Sequence, residues 1–334
     1  MRIVQICNNP LFNSKGVLNG GIEKVIVDTH ELLQSHGFDS NIIHFDTSEE
    51  STIKKNKRLL SKLLEYDVVI IHNHQSIVKY LNKENKPFIF VEHWSLESIN
   101  KLYYYDFFTR DYQNAKKNGS IFLTVSQTAK DFKENFFKKK WGINFTFDGF
   151  IKFQHLSREL DSINVSEGNG KAITIARASR EKQIHLIDKL PNIDYDIISI
   201  PFKDNKSYYD RNLKQIEEKI LWNLDRKTTL DKLRKASVYY ATCRIESAGI
   251  APFEALCSGL PLVLNEGEFG HASRMFAPKD AWYICRSDEN EKIEEFKKLS
   301  LEQRQQISKE VREYNSVDNF IESFKYWINK LCLK

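Results

Sequence analysis

Short apolar runs rich in β-branched residues alternate along this chain with longer stretches in which apolar residues recur every three or four positions. Residues 2–7, Arg-Ile-Val-Gln-Ile-Cys, read as a strand, and the stretch 21–36 places Ile22, Val25, Ile26, Leu32 and Leu33 on one side of a helix. The same alternation predicts strands at 41–45, 67–72, 87–91 and 121–125, with helices at 52–64, 96–117 and 128–139. The run Asp-Val-Val-Ile-Ile-His at 67–72 is apolar nearly throughout. Strands of that kind belong to parallel sheets covered by helices on both faces.

The run Asp-Ser-Ile-Asn-Val-Ser-Glu-Gly-Asn-Gly at 161–170 is polar and rich in turn formers, and a domain boundary is expected close to it. A second alternation follows, with strands at 172–176, 195–200, 238–242 and 261–264 and helices at 182–190, 230–235 and 250–258. The tail reads as two helices, 301–314 and 317–331. Phe320, Phe324, Trp327 and Ile328 form one stripe on the last of them, read as core packing. The expected fold class is therefore α/β, with two doubly wound parallel-sheet domains of similar size facing each other. The expected divisions are 1–155 and 156–315, with the final helix (316–334) packing back on the first domain. Ligands of such sheets bind beyond the carboxyl ends of the strands, so the cleft between the domains is the expected site.

Composition narrows this without redirecting it. Of 334 residues, 41% are hydrophobic and 28% charged, the balance of a globular chain and not of a disordered one. No run reaches about 18 apolar residues and Met1 opens directly into a strand pattern, so neither a spanning helix nor a signal peptide is expected. The expected location is the cytoplasm, with room for peripheral membrane association. Five cysteines, an odd number without a CxxC pair, suggest buried thiols in a reducing compartment. A net charge of +5 suits anionic partners without choosing among nucleotides, phospholipid surfaces and nucleic acid.

The candidate chemistry is densest at Glu246-Ser-Ala-Gly-Ile-Ala-Pro-Phe-Glu254, followed by Ser-Gly-Leu-Pro-Leu-Val. A strand ends just before it and a helix starts near Ile250. Gly249 permits close backbone approach to a ligand, and the unpaired N–H groups of a helix start suit a phosphate or a sugar hydroxyl. One turn into the helix, the Glu254 carboxylate suits the paired hydroxyls of a ribose.

This stretch resembles the E-x7-E motif of glycosyltransferase family 4, whose GT-B fold consists of two facing Rossmann-like domains. The resemblance implies that Glu246 faces the donor sugar, that Glu254 binds the nucleotide ribose, and that Ser247, Ala248, Gly249 and Ile250 line the donor site. Arg177-Ala-Ser-Arg-Glu-Lys182, after the second domain's first strand, is similar to the family's G-R-x-x-x-x-K segment, with Ala176 in place of its glycine. Arg177 and Lys182 would then hold the donor diphosphate and neutralise charge on the leaving group. Gly20-Gly21 resembles the family's first glycine loop. His93, following Val91-Glu92, falls where the family often places a histidine facing the sugar, while His72 and His74 occupy a similar strand end. Glu92, Trp94, Tyr104 and Ser126 are candidates on the acceptor side.

No metal-ligand cluster and no Walker loop occurs, so metal-independent transfer is expected, without a cofactor beyond the sugar nucleotide, a UDP- or GDP-sugar. The resemblance further implies a retaining enzyme with the donor on the second domain, the acceptor on the first, and domain closure excluding water. The expected acceptor is a lipid-linked or surface glycan of bacterial type, met at a membrane through Phe132, Phe136, Phe137, Lys138, Lys139, Lys140 and Trp141. The alternative is phage DNA with hydroxymethylated pyrimidines. Its phosphates would meet Lys54, Lys55, Lys57, Arg58 and Lys62, and its bases would stack on Tyr103, Tyr104, Tyr105, Phe107 and Phe108. A non-catalytic sugar-nucleotide-binding protein is the reading from another class. A monomer or weak dimer is expected.

Overall fold

The structure is a computed structural model that describes residues 1–7, 11, 21–45, 57–73, 75–93, 110–152, 164–201, 206–243, 246, 249–265, 278–285 and 287–333. The chain divides into two compact units, Met1–Phe153 with Val317–Lys334, and Gln154–Ser316.

The first unit is built on strands β1 (Arg2–Cys7), β2 (Asp39–His44), β3 (Val68–His72), β4 (Ile89–Glu92), β5 (Ile121–Thr124) and β6 (Gly149–Phe150). They form one sheet in the order β2-β1-β3-β4-β5-β6, every pair parallel. Helices α1 (Gly21–Ser35), α2 (Lys57–Leu63), α3 (Gln75–Lys83), α4 (Tyr112–Lys117) and α5 (Gln127–Trp141) connect them. Strands β3, β4 and β5 are buried along their whole length and apolar until their last residue, which is His72 in β3, Glu92 in β4 and Thr124 in β5. Because the strands are parallel, these polar ends come together at one edge.

The second unit carries β7 (Ala172–Ile175), β8 (Tyr195–Ser199), β9 (Ile220–Trp222), β10 (Val238–Ala241), β11 (Leu262–Leu264) and β12 (Trp282–Ile284). Their order is β12-β11-β10-β7-β8-β9, again wholly parallel. This is the doubly wound order 3-2-1-4-5-6. Among the described residues its α-helices of eight or more residues are α6 (Arg226–Lys235), α7 (Ile250–Cys257), α8 (Glu289–Phe296) and α9 (Leu301–Tyr314). Successive strand residues belong to two separate apolar clusters, Tyr239 to one and Val238 and Tyr240 to the other, so both faces of the sheet are covered.

The C-terminal α10 (Val317–Cys332) buries Phe320, Phe324, Trp327 and Ile328 as its stripe predicts. The Trp327 ring lies over Gly149, where an added Cβ would stand 2.6 Å from the ring carbons.

Several elements differ from expectation. The segment expected as an α-helix at 182–190 is a turn followed by a 3-10 helix, Ile184–Lys189, entered through Gln183 in the left-handed region (φ 48°). Strands β6, β9 and β12 and helices α3 and α8 were not anticipated. The three strands are two or three residues long and only partly buried, too short for an apolar run to register.

Candidate functional site

In the second sheet β7 and β10 are neighbours, and the chain leaves them in opposite directions, toward β8 on one side and β11 on the other. A doubly wound sheet opens a crevice at the carboxyl end of such a switch point. The segment after β7 carries Arg177 and Lys182, and the segment after β10 carries Glu246. Lys182 Nζ lies 2.8 Å from Glu246 Oε2. The backbone beneath is tied across three strands. Thr242 Oγ1 donates to the Lys182 carbonyl at 2.6 Å, and Asn265 Nδ2 donates to the Thr242 carbonyl at 2.9 Å. Thr242 and Asn265 escaped the sequence reading, because neither belongs to a recognisable spacing.

Burial pulls the Lys182 ammonium toward neutrality, but the facing Glu246 carboxylate outweighs it, so its pKa is raised and the group stays cationic. Cys243 Sγ lies 3.8 Å from the same Glu246 oxygen, and burial pushes this thiol up to about 12, which keeps it neutral. Arg177, half exposed, sits 4.0 Å from Glu181 and is close enough to Lys182 to oppose its charge.

Gly249 caps α7 with φ 57° and ψ 67°, a left-handed conformation that glycine adopts without a side-chain penalty. Its carbonyl accepts the first helical bond, from Phe253 N at 3.0 Å. Pro252 has no N–H, so the first-turn donors here are those of Ile250 and Ala251. Glu254 is buried, and Arg226 at the start of α6 grips it through both oxygens, Nη1 to Oε2 at 2.9 Å and Nη2 to Oε1 at 2.5 Å. The sequence reading gave Glu254 to a ribose and had no place for Arg226. Ser247 and Ala248 lie outside the described residues.

In the first sheet the switch point falls between β1 and β3. There His72 Nδ1 lies 2.8 Å from His93 Nε2, and His72 Nε2 lies 3.1 Å from Gln5 Oε1. Burial lowers the His72 pKa to about 3. Burial, then His72, then Lys133 hold His93 well below the usual histidine value. The His93 N–H donates to Asn73 Oδ1 at 2.7 Å. Neighbouring Glu92 is paired with Lys133 of α5 at 3.3 Å, each side chain only 2% exposed.

Ser126 caps α5, its hydroxyl accepting from Ala129 N at 3.0 Å, and is buried, so its visible role is to start a helix. Gly21 is the exposed first residue of α1. Gly20, His74, Trp94 and Tyr104 lie outside the described residues.

The two patches considered for an acceptor fare differently. On α5, Phe137 is in the core, and Phe132, Phe136 and Trp141 pack against it, while Lys138 and Lys139 are exposed on other sides of the helix. The aromatic half of the expected membrane face is therefore turned inward, as an i, i+4 spacing on a core-facing helix requires. Arg58 and Lys62 are exposed on α2, whereas Lys54, Lys55, Tyr103, Tyr105, Phe107 and Phe108 lie outside the described residues. Among the described residues no group of His, Cys, Asp and Glu is arranged to hold a metal, and no helix is long and apolar enough to cross a membrane. All five cysteines are free, but Cys285 is only partly buried and Cys332 is exposed.

No family model matches the chain, and no curated protein matches it. Solved structures do. The chain is similar to Anabaena Alr3699/HepE in complex with UDP, with a TM-score of 0.65 and 14% identity over 98% of this chain and 100% of that one. It is similar to TarM with a TM-score of 0.67 and 13% identity over 98% of each. The chain has the GT-B fold. The GtfA/B complex also matches, with a TM-score of 0.58 and 18% identity over 85% of this chain, which there spans 61% of the matched one. At such identities the likeness between these GT-B glycosyltransferases and the present chain is one of architecture.

Proposed function

We propose that this chain transfers a sugar from a nucleoside diphosphate sugar to an acceptor hydroxyl with retention of configuration, in the manner of the glycosyltransferase family 4 that its motifs resemble. The observation that carries the reading is the 2.8 Å contact between Lys182 and Glu246 at the second sheet's switch point. A permanently cationic lysine there, with Arg177 nearby and a helix start at Gly249, is what a diphosphate needs. In the free protein Glu246 neutralises Lys182. When a diphosphate arrives, Lys182 turns part of its charge to the phosphate oxygens, and Glu246 becomes an acceptor for sugar hydroxyls. Arg226 holds the Glu254 carboxylate oriented for a ribose diol.

Attack comes from the face the phosphate leaves. The bond from the acceptor oxygen to the anomeric carbon forms as the carbon–phosphate oxygen bond breaks, and the acceptor's proton passes to the departing phosphate oxygen. Lys182 and Arg177 stabilise the charge that develops there, so no metal is required. The pairing of Glu92 with Lys133 supports this route over one with a carboxylate nucleophile in the first unit, since that carboxylate is buried and engaged. The acceptor is a glycan hydroxyl of the surface-polysaccharide kind.

Titration calorimetry with UDP, GDP and ADP tests the donor site. One of them binds, and Lys182→Ala weakens it by about tenfold or more, the loss of one charge-assisted contact. Equal affinity in the wild type and the variant would remove Lys182 from the site.

A further inference from the structure

Away from the switch point of the first sheet, its covering helices leave a groove of about 540 Å³ between α3 and α4. The floor of the groove is tied together by side chains. Asn82 Nδ2 donates to the Asp111 carbonyl at 2.8 Å, and Asn118 Nδ2 donates to Asn82 Oδ1 at 3.4 Å. Asn118 Oδ1 in turn accepts from the Ser120 hydroxyl at 2.6 Å. Asn85 and Asn118 stand just before β4 and β5, so one end of the groove lies at the amino ends of those strands. The carboxyl edge that holds His72 and Glu92 is at the other end.

The walls are cationic. Lys79 and Lys83 are one turn apart on α3, and Arg110 and Lys117 flank α4 opposite them. All four are exposed, and among the described residues none of the three lysines has a carboxylate partner. The one acid in the described lining, Asp111, is buried and holds Arg110 Nε through Oδ1 at 3.2 Å. Like charges gathered in one concavity repel each other, and an anion between them relieves that repulsion. Asn85 and Asn114 are exposed at the rim, and their side chains bond nothing among the described residues. Each amide offers both donors and an acceptor, the complement of a sugar hydroxyl. A lysine is a flexible point charge that can approach an oxygen from any side. Three of them suit tetrahedral phosphate better than a planar carboxylate, which one arginine fork already matches.

We propose that this groove binds a glycan whose repeats carry phosphate, with the lysines and Arg110 on the anion and Asn85 and Asn114 on neighbouring hydroxyls. Its use as an acceptor site rests on the glycosyltransferase reading; the binding does not. The nine-residue α3 separates the far end of the groove from the carboxyl edge by about 14 Å. An acceptor long enough to span that distance is held by its charged stretch while its reacting hydroxyl lies at the carboxyl edge.

The test is titration calorimetry of the full chain with dextran phosphate oligomers in about 0.1 M salt, where diffuse surface attraction is screened. Dextran phosphate binds and unmodified dextran of the same length does not. Lys83→Gln combined with Lys117→Gln weakens binding about tenfold or more, the loss of two charge-assisted contacts. Lys138→Gln with Lys139→Gln, the same charge change on exposed α5 positions, stays within about twofold of the wild type. Asn114→Ala weakens dextran phosphate about fivefold and leaves inorganic polyphosphate unchanged, because only the glycan brings hydroxyls. With a phosphate-bearing acceptor, the groove pair raises KM about tenfold and leaves kcat and slow donor hydrolysis as they were.

Equal affinity for dextran and its phosphate, or for the wild type and the groove pair, overturns the proposal. So does oligogalacturonate bound as tightly as dextran phosphate, which removes the preference for phosphate. Tighter retention on phosphatidylglycerol vesicles or duplex DNA, lost in the groove pair, overturns it too and gives the groove to that partner. A chain that binds dextran phosphate through the groove but transfers no sugar keeps the site and refutes only the glycosyltransferase reading. Transfer to a phosphate-bearing acceptor with KM unmoved in the groove pair refutes the acceptor role and leaves that reading standing.

Discussion

The side chains that matter most come in pairs, and removing one member exposes what the other was for. Lys182→Ala and Glu246→Ala should each lower transfer by about 10²–10³-fold, the cost of one preorganised charge at a developing oxyanion or sugar, while near-native circular dichroism shows both fold. The raised pKa of Lys182 gives stability that is present below the unfolded value of about 10.4 and lost only as pH rises past it, so this pair adds no pH dependence near neutrality. The histidines act oppositely. Their folded pKa values are depressed, so below about pH 6.5 the unfolded chain takes up protons that the folded one refuses, and stability falls as pH falls toward 3. Urea unfolding of the first unit should show a loss of stability between pH 7 and 5 to which His72 alone contributes about 2 kcal/mol, a share that His72→Asn removes. Arg226→Ala, which leaves Glu254 buried without its partner, should cost about 2 kcal/mol, less than a fully buried pair because Arg226 is 36% exposed. Glu246, Glu254, Arg177 and Lys182 were legible in the sequence because their spacing is local. Arg226 was not, because it meets Glu254 only after strand pairing closes a gap of 28 residues, and His72 meets His93 in the same way across β3 and β4.

At the scale of elements, what reads directly from sequence is burial on both faces. The apolar runs of β1, β3, β4 and β5 announce a parallel sheet, and the stripe of α10 announces a packed helix. Elements whose form depends on neighbours do not read this way. The segment at 184–189 has helical spacing, but a left-handed Gln183 before it and Pro191 after it leave room for only six residues, which close as 3-10 turns. Two substitutions probe element junctions. Ser126→Ala removes the α5 cap and should cost about 1 kcal/mol in thermal or urea unfolding, with little effect on turnover. Gly149→Ala drives a methyl into the Trp327 ring and should cost about 1–3 kcal/mol; Trp327→Phe in the same chain should recover part of it, tying α10 to β6.

At the scale of the molecule, the two sheets are both parallel but wound in different orders, and each gathers polar groups at its own switch point. A fold of this kind positions chemistry without naming the substrate, since strand order places a lysine opposite a glutamate whichever sugar or acceptor is involved. The central claim is that the Lys182–Glu246 edge handles a sugar nucleotide. It is tested most directly by incubating the purified chain with a panel of UDP-, GDP- and ADP-sugars and measuring release of the nucleoside diphosphate, with and without glycan acceptors, in the wild type and in Lys182→Ala. The account predicts slow release from one donor, faster with a suitable acceptor, and a collapse of about 10²-fold or more in the variant. Folded wild-type protein that releases nothing from any donor, or a variant that matches it, would contradict the account.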